Sequence, residues 1–314
     1  MEPVDQKRSG YINLWKDSGP TSFDMVARIR KLSGIKKVGH GGTLDPNAEG
    51  ILPILLGQGT RMNQEFNNYA KRYEATILLG TTTNTLDIDG EILSQTDPSD
   101  IDIDQIKDNL LQFKGEIEQK PPMFSAVKYN GERLYNLARK GITVDRKPRK
   151  AMVYDIWINN LKSPLAEISI ICGKGTYIRS ISDELGKSLG VGATLQSLRR
   201  TEYGPFNKTT SQTIDQIEQD LESKTYSSIR PLSYLFNSWR TIILTESQQR
   251  SVSNGMTIEI NDADILPVTE KNTHSIMKPP PDNQIRALRP EGELAAILTR
   301  KTDNYWHPSK VIPL

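Results

Sequence analysis

The sequence predicts an α+β fold with one large domain followed by a small all-β one, and three observations lead there. Residues 71–80 alternate, with Tyr73, Ala75, Ile77 and Leu79 on one face of an extended strand. Met25, Ile29 and Leu32, and again Ile106, Leu110 and Phe113, recur at helical spacing. From Trp239 onward the texture changes to short apolar stretches cut by turns such as Asn254-Gly255, Asp282-Asn283 and Pro290-Glu291-Gly292. A chain of 314 residues is long for one core, which fits the same division.

Each element has its own warrant. Residues 1–9 read as a polar tail, and residues 10–15 as a short strand turned by Lys16-Asp17-Ser18-Gly19-Pro20. Thr21 with Asp24 three residues on is a capping box for the helix that carries Met25, Ile29 and Leu32 and ends before Gly34. Residues 51–56 form an apolar run closed by Gly57, the pattern of a buried strand, and Met62, Phe66 and Tyr69 again sit at helical spacing. Residues 81–90 read as a β-turn, because the ligand pattern of a calcium loop is incomplete and no glutamate closes it. The acidic segment beyond leads into the helix of Ile106, Leu110 and Phe113, with Gly115 as its stop. Residues 151–158 and Leu165–Cys172 read as strands, and Ile178, Ile181, Leu185 and Leu189 share one helix face. A linker over about residues 215–236 starts as a helix, with Ile214, Ile217 and Leu221 on one side. Residues 257–260, Gln284–Leu288 and residues 294–299 are the strands of the small domain.

Composition sets limits. The formal net charge is only +2, yet the charges are segregated. Arg133, Arg139, Lys140, Arg146, Lys147, Arg149 and Lys150 crowd one segment, and Asp87 through Asp108 another, so a polyanion can bind one side. Two solvated faces are the plainer reading of the same pattern. Cys172 is the sole cysteine, which excludes an internal disulfide, and His40, His274 and His307 lie far apart without metal-ligand spacing, so no metal is expected. No apolar run approaches a membrane span and the N-terminus lacks an apolar signal core, so the expectation is a cytoplasmic protein without a membrane partner.

One stretch organises the rest. In residues 38–59, Gly39, Gly41 and Gly42 precede Asp45 and Pro46 follows it, a loop built to present one side chain ahead of a rigid strand. By local pattern alone a tight turn with a solvated aspartate explains it equally well. The run His40-Gly-Gly-Thr-Leu-Asp45-Pro-x-Ala48-x-Gly50-x-Leu52, with Gly57 and Thr60, resembles the signature of the TruB family of bacterial tRNA pseudouridine synthases. That resemblance implies that Asp45 is the catalytic carboxylate. The opening of the chain is similar too, with Lys16-Asp-Ser-Gly-Pro where a Lys-Pro-x-Gly turn is usual. Lys71-Arg72-Tyr73 matches the family motif whose tyrosine stacks on the target base, although an inward strand tyrosine is by itself ordinary core.

Two further matches follow in order. Residues 119–139 resemble the element Pro-Pro-x-Tyr-Ser-Ala-x-Lys-x-x-Gly-x-Arg-x-Tyr-x-x-Ala-Arg, with Phe124 in place of the tyrosine. They offer Lys128, Arg133 and Arg139 to phosphates, contacts that position RNA without reading it. Residues 172–206 resemble the family's Gly-Thr-Tyr-Ile-Arg region, which implies Arg179 against the catalytic carboxylate, Tyr177 in the base pocket and Leu198 beside them. Outside the motif, an arginine at a helix start is usually a surface charge. Gly173-Lys174-Gly175 lacks Walker spacing, so a nucleotide-hydrolysing loop is not expected.

The resemblance covers roughly residues 10 to 206. It implies a catalytic domain over 10–236, with a large mixed or antiparallel sheet and flanking helices, and a PUA-like β-barrel that binds RNA over 237–314. The implied reaction is isomerisation of uridine to pseudouridine at position 55, in the T loop of tRNA. Asp45, Tyr73 and Arg179 would be catalytic, and His40, Tyr73, Tyr177 and Leu198 would hold a flipped-out base. Substrate and product are isomers, so no cofactor is required. The expected partner is the T loop and T stem of tRNA, met by a monomer. A non-catalytic tRNA-binding or folding protein is the competing reading, and a carboxylate hydrolase lacks its second carboxylate.

Overall fold

The computed structural model describes residues 8–268 and 282–313, so residues 1–7 of the polar tail and His274 lie outside the described residues. The described residues form two compact units, one within residues 1–46, 50–69 and 204–314, the other of residues 47–49 and 70–203. The α+β class read from the sequence is the class observed.

In the first unit the strand Gly10–Lys16 pairs antiparallel with Glu49–Leu56, from Gly10 opposite Leu56 to Lys16 opposite Gly50. Val38–His40 pairs with the same strand, His40 opposite Ile54. Ile51, Leu52, Ile54 and Leu56 are fully buried, which is why this segment is continuously apolar rather than alternating. The helix Ser22–Ser33 starts on the predicted Thr21–Asp24 capping box and stops at Gly34 in the left-handed conformation, φ 68°. Met25 and Ile29 are buried as the stripe requires, and Leu32 only half. Met62, Phe66 and Tyr69 are buried as well, Met62 at the end of a 3-10 turn, Gly57–Met62, Phe66 on a short helix, Asn63–Asn67, and Tyr69 in the bend after it.

The same unit holds a curled half-barrel of five strands, in the order Thr241–Ile243, Gln284–Leu288, Leu294–Thr302, Tyr305–Val311 and Ile258–Glu259. Its first pair is parallel and the others antiparallel. The aromatic end of the chain is a strand of its own, because Trp306 is fully buried in the core with Ile242, Leu244, Ile285 and Leu298.

The second unit is built on strands in the order Ala193–Tyr203, Lys71–Leu79, Leu165–Cys172, Arg149–Lys162 and Gly115–Gln119, every neighbour antiparallel. Lys71–Leu79 alternates strictly, and its buried face is Lys71, Tyr73, Ala75, Ile77 and Leu79. The helix Ile178–Ser188 packs Ile178, Ile181 and Leu185 inward. Two of the five strands are not evident from the sequence. Ala193–Tyr203 is interrupted by bulges that break its alternation, and Gly115, read as a helix stop, also begins a strand at φ 105°. Residues 81–90 are more than a β-turn: Thr81–Thr83 and Ile92–Gln95 pair around them as a hairpin.

Candidate active site

The loop that presents Asp45 is pinned on both flanks. On the near side the Ser22 hydroxyl, at the first turn of its helix, donates to the Leu44 carbonyl at 3.0 Å and accepts the Leu44 amide at 2.9 Å. On the far side the Pro46 carbonyl receives the Gly19 amide and the Lys16 ammonium, both at 2.9 Å. Lys16 is fully buried and also donates to the carbonyls of Asp17 and Pro20 at 2.9 Å each, so one ammonium ties its own turn to the loop. The Lys-Asp-Ser-Gly-Pro turn, unusual for the resemblance, thus closes around its lysine. Asp45 stands half-buried between these anchors. Gly41 packs its α-carbon on the Phe66 ring, where a β-carbon would lie 2.6 Å from Cδ1, and its amide donates to the Pro53 carbonyl at 2.8 Å. His40, half-buried, ends the strand that leads into the loop.

In the second unit Tyr73 and Leu198 lie on adjacent strands, with Leu198 opposite Ala75 and Arg200 opposite Tyr73. Tyr177 caps the helix Ile178–Ser188. Its backbone is clamped by the buried amide of Gln119, which accepts the Tyr177 amide at 2.9 Å and donates to its carbonyl at 3.2 Å. Arg179 is no surface charge: it is 6% exposed, donates to the carbonyls of Phe124 at 2.8 Å and Thr85 at 3.3 Å, and meets Asp87 at 3.4 Å. The other Asp87 oxygen accepts the Thr85 hydroxyl at 2.5 Å and the Asp89 amide at 3.3 Å. Ser22, Gln119 and Asp87 escape a reading by sequence, since each acts on a backbone or side chain remote in the chain. Lys71, beside Arg200, is brought down to about 7 by burial and by that guanidinium, and burial raises the Cys172 thiol to about 11.

Lys128, Arg133 and Arg139 are exposed. Lys128–Tyr129 and Glu132–Arg133 form a hairpin turned by Asn130 and Gly131, both at positive φ, before the helix Leu134–Arg139. Arg133 and Arg139 both rest on the Tyr135 ring, 5.8 and 5.7 Å from its centre. The surrounding basic segment is partly neutralised, Lys140 by Glu132 at 2.6 Å and Lys150 by Glu116 at 2.7 Å. Among the described residues no group of three His, Cys, Asp or Glu side chains could hold a metal ion, and no helix is long and apolar enough to cross a membrane.

Residues 30–178 match the model of the TruB family pseudouridylate synthase N-terminal domain, and residues 179–237 that of the tRNA pseudouridylate synthase B C-terminal domain. The chain belongs to the TruB family. The tRNA pseudouridine synthase B of Dehalococcoides mccartyi (strain ATCC BAA-2100) is 40% identical over 303 residues, 96% of each chain. The Clostridium tetani protein of the same name is 41% identical over 264 residues, 84% of this chain and 90% of its own. Among solved structures, a Cbf5-Nop10-Gar1 complex superposes with a TM-score of 0.68 at 27% identity, covering 96% of this chain and 82% of that one. An H/ACA RNP bound to a substrate RNA containing 2′-deoxyuridine superposes at 0.69 and 24% identity, covering 98% and 86%, and shows the shared fold. As a TruB-family member this chain is a pseudouridine synthase, an isomerase, and the competing reading as a mere binding protein falls away.

Proposed function

We propose that this TruB-family enzyme converts uridine to pseudouridine at position 55 in the T loop of tRNA, with Asp45 as its catalytic carboxylate. The observation that carries this reading is the double anchoring of Asp45, through Leu44 on Ser22 and through Pro46 on Lys16 and Gly19, at the motif position of the family's aspartate. A carboxylate held in one direction can act as nucleophile or stabilise the electron-poor sugar formed as the N1–C1′ bond loosens. Tyr73 stacks on the uracil, at the place where the C5 proton leaves. Arg179 matches the guanidinium that the family sets against its carboxylate, and Tyr177 and Leu198 complete the base pocket. His40 takes the space of the flipped base, whose extrusion costs a few kcal/mol. Lys128, Arg133 and Arg139 hold the RNA backbone, and residues 237–314 act as a PUA-like RNA-binding module. The enzyme works as a monomer in the cytoplasm and needs no cofactor or metal.

The test uses tRNA transcript carrying tritium at uracil C5. Wild type should release tritium and Asp45→Ala should bind the transcript in a filter assay without releasing any. Tritium release by Asp45→Ala at the wild-type rate would end the assignment of Asp45.

A further inference from the structure

The strand pair that holds Tyr73 also buries a guanidinium against it. Arg200 lies directly opposite Tyr73 in register, is 1% exposed, and places Nη1 3.4 Å from the Tyr73 hydroxyl. Its guanidinium carbon lies 4.9 Å from the centre of the Tyr203 ring, and the Lys71 ammonium 4.3 Å from the same centre. Arginine only donates, so in this contact the Tyr73 oxygen is the acceptor and its own proton points elsewhere. A buried cation is costly, and stacking on Tyr203 offsets part of that cost. Stacking alone, however, does not require the fork to face the phenol. The local field matters as well: with Lys71 brought down to about 7, the cluster holds between one and two positive charges near neutral pH.

Resting on the assignment of Tyr73 to the uracil, we propose that Arg200 is a positioning residue for the last chemical step, the deprotonation of C5. Its guanidinium fixes the Tyr73 oxygen and stabilises the negative charge that collects there. In this step the Tyr73 proton passes to water and the oxygen takes the proton from C5, which is already bonded to C1′. The C5–H bonding pair closes the C5–C6 double bond, the C6–N1 double-bond pair moves onto N1, and N1 takes a proton from water. Atoms and charge balance, and no oxidant or co-reactant is needed.

The experiment compares single-turnover rates on tRNA transcripts carrying hydrogen or deuterium at C5 of the target uridine, for wild type, Arg200→Gln, Arg200→Lys, Tyr73→Phe and the Arg200→Gln/Tyr73→Phe double variant. Arg200→Gln should slow turnover by about 100-fold, leave tRNA binding within a few-fold, and make the rate sensitive to deuterium because C5–H cleavage has become limiting. Arg200→Lys should recover part of the rate, and in the Tyr73→Phe background the Arg200→Gln loss should shrink. A slow Arg200→Gln without an isotope effect, or with an undiminished loss in the Tyr73→Phe background, overturns the proposal. A slow, isotope-sensitive Tyr73→Phe beside a wild-type-like Arg200→Gln overturns the role of Arg200 alone. Wild-type turnover by Tyr73→Phe overturns the assignment of Tyr73 and this step with it. Should Arg200→Gln not fold, Arg200→Lys keeps the charge and loses the fork, and an isotope-sensitive or isotope-insensitive rate loss decides in the same way.

Discussion

Arg179 and Asp87 form a largely buried ion pair, 3.4 Å between Nη1 and Oδ2, with the guanidinium also held by the carbonyls of Thr85 and Phe124. Asp87 sits in a hairpin that composition alone marks as one of many acidic surface positions. Asp87→Asn keeps the shape and removes the charge, so Arg179 loses a charge-assisted partner worth about 1.5 to 3 kcal/mol. The expected outcome is a fall in kcat for tritium release of about 10- to 100-fold, with tRNA binding in the filter assay nearly unchanged. A wild-type kcat would show that the pair is structural only.

Lys16 and Ser22 hold the two flanks of the Asp45 loop. Lys16→Met strips three carbonyls of an ammonium donor and should lower unfolding free energy by about 3 kcal/mol, read by urea denaturation. Ser22→Ala removes one hydroxyl that serves Leu44 twice and should cost about 1 to 2 kcal/mol. Both should reduce kcat more than they change KM, since each is buried and loosens the direction of Asp45.

Two nearby glycines should differ sharply in their tolerance of a side chain. A β-carbon on Gly41 would lie 2.6 Å from the Phe66 ring, whereas one on Gly39 meets nothing nearer than Thr60 Cγ2 at 3.9 Å. Phe66 cannot retreat, because its ring packs on Tyr69 and Phe206 at 5.6 and 5.2 Å. Gly41→Ala should therefore destabilise by about 1 to 3 kcal/mol and Gly39→Ala by much less, as thermal melting would show.

Lys71 gives stability a pH dependence of known sign. Its ordinary value of 10.5 drops to about 7 in the fold. Below 7 the ammonium is charged in both states and the burial penalty is fully present. Between 7 and 10.5 the unfolded chain binds a proton that the folded chain does not, so stability rises with pH. Measured against Lys71→Met, wild-type unfolding free energy should gain up to about 1.4 kcal/mol per pH unit across that window. A difference independent of pH would place a charged lysine in the fold throughout.

The elements read from sequence are those whose pattern is local. The Thr21–Asp24 capping box, the Gly34 stop and the strict alternation of Lys71–Leu79 appear as expected, because each depends on residues within one turn or one strand. The bulged strand Ala193–Tyr203 was hidden because a bulge shifts the two-residue period midway. The same divide runs through the candidate site. Spacing of Gly, Asp, Tyr and Arg along the chain determined the family and the residues worth naming, since a motif is itself a local pattern. Only the tertiary structure decided that Ser22 and Lys16 hold the Asp45 loop, that Gln119 clamps Tyr177, that Asp87 faces Arg179, and that Lys71 and Arg200 are buried beside Tyr73 and Tyr203. Most of those contacts join residues tens of positions apart, and a lysine or arginine carries no mark in the sequence of whether the fold will leave it in water or enclose it.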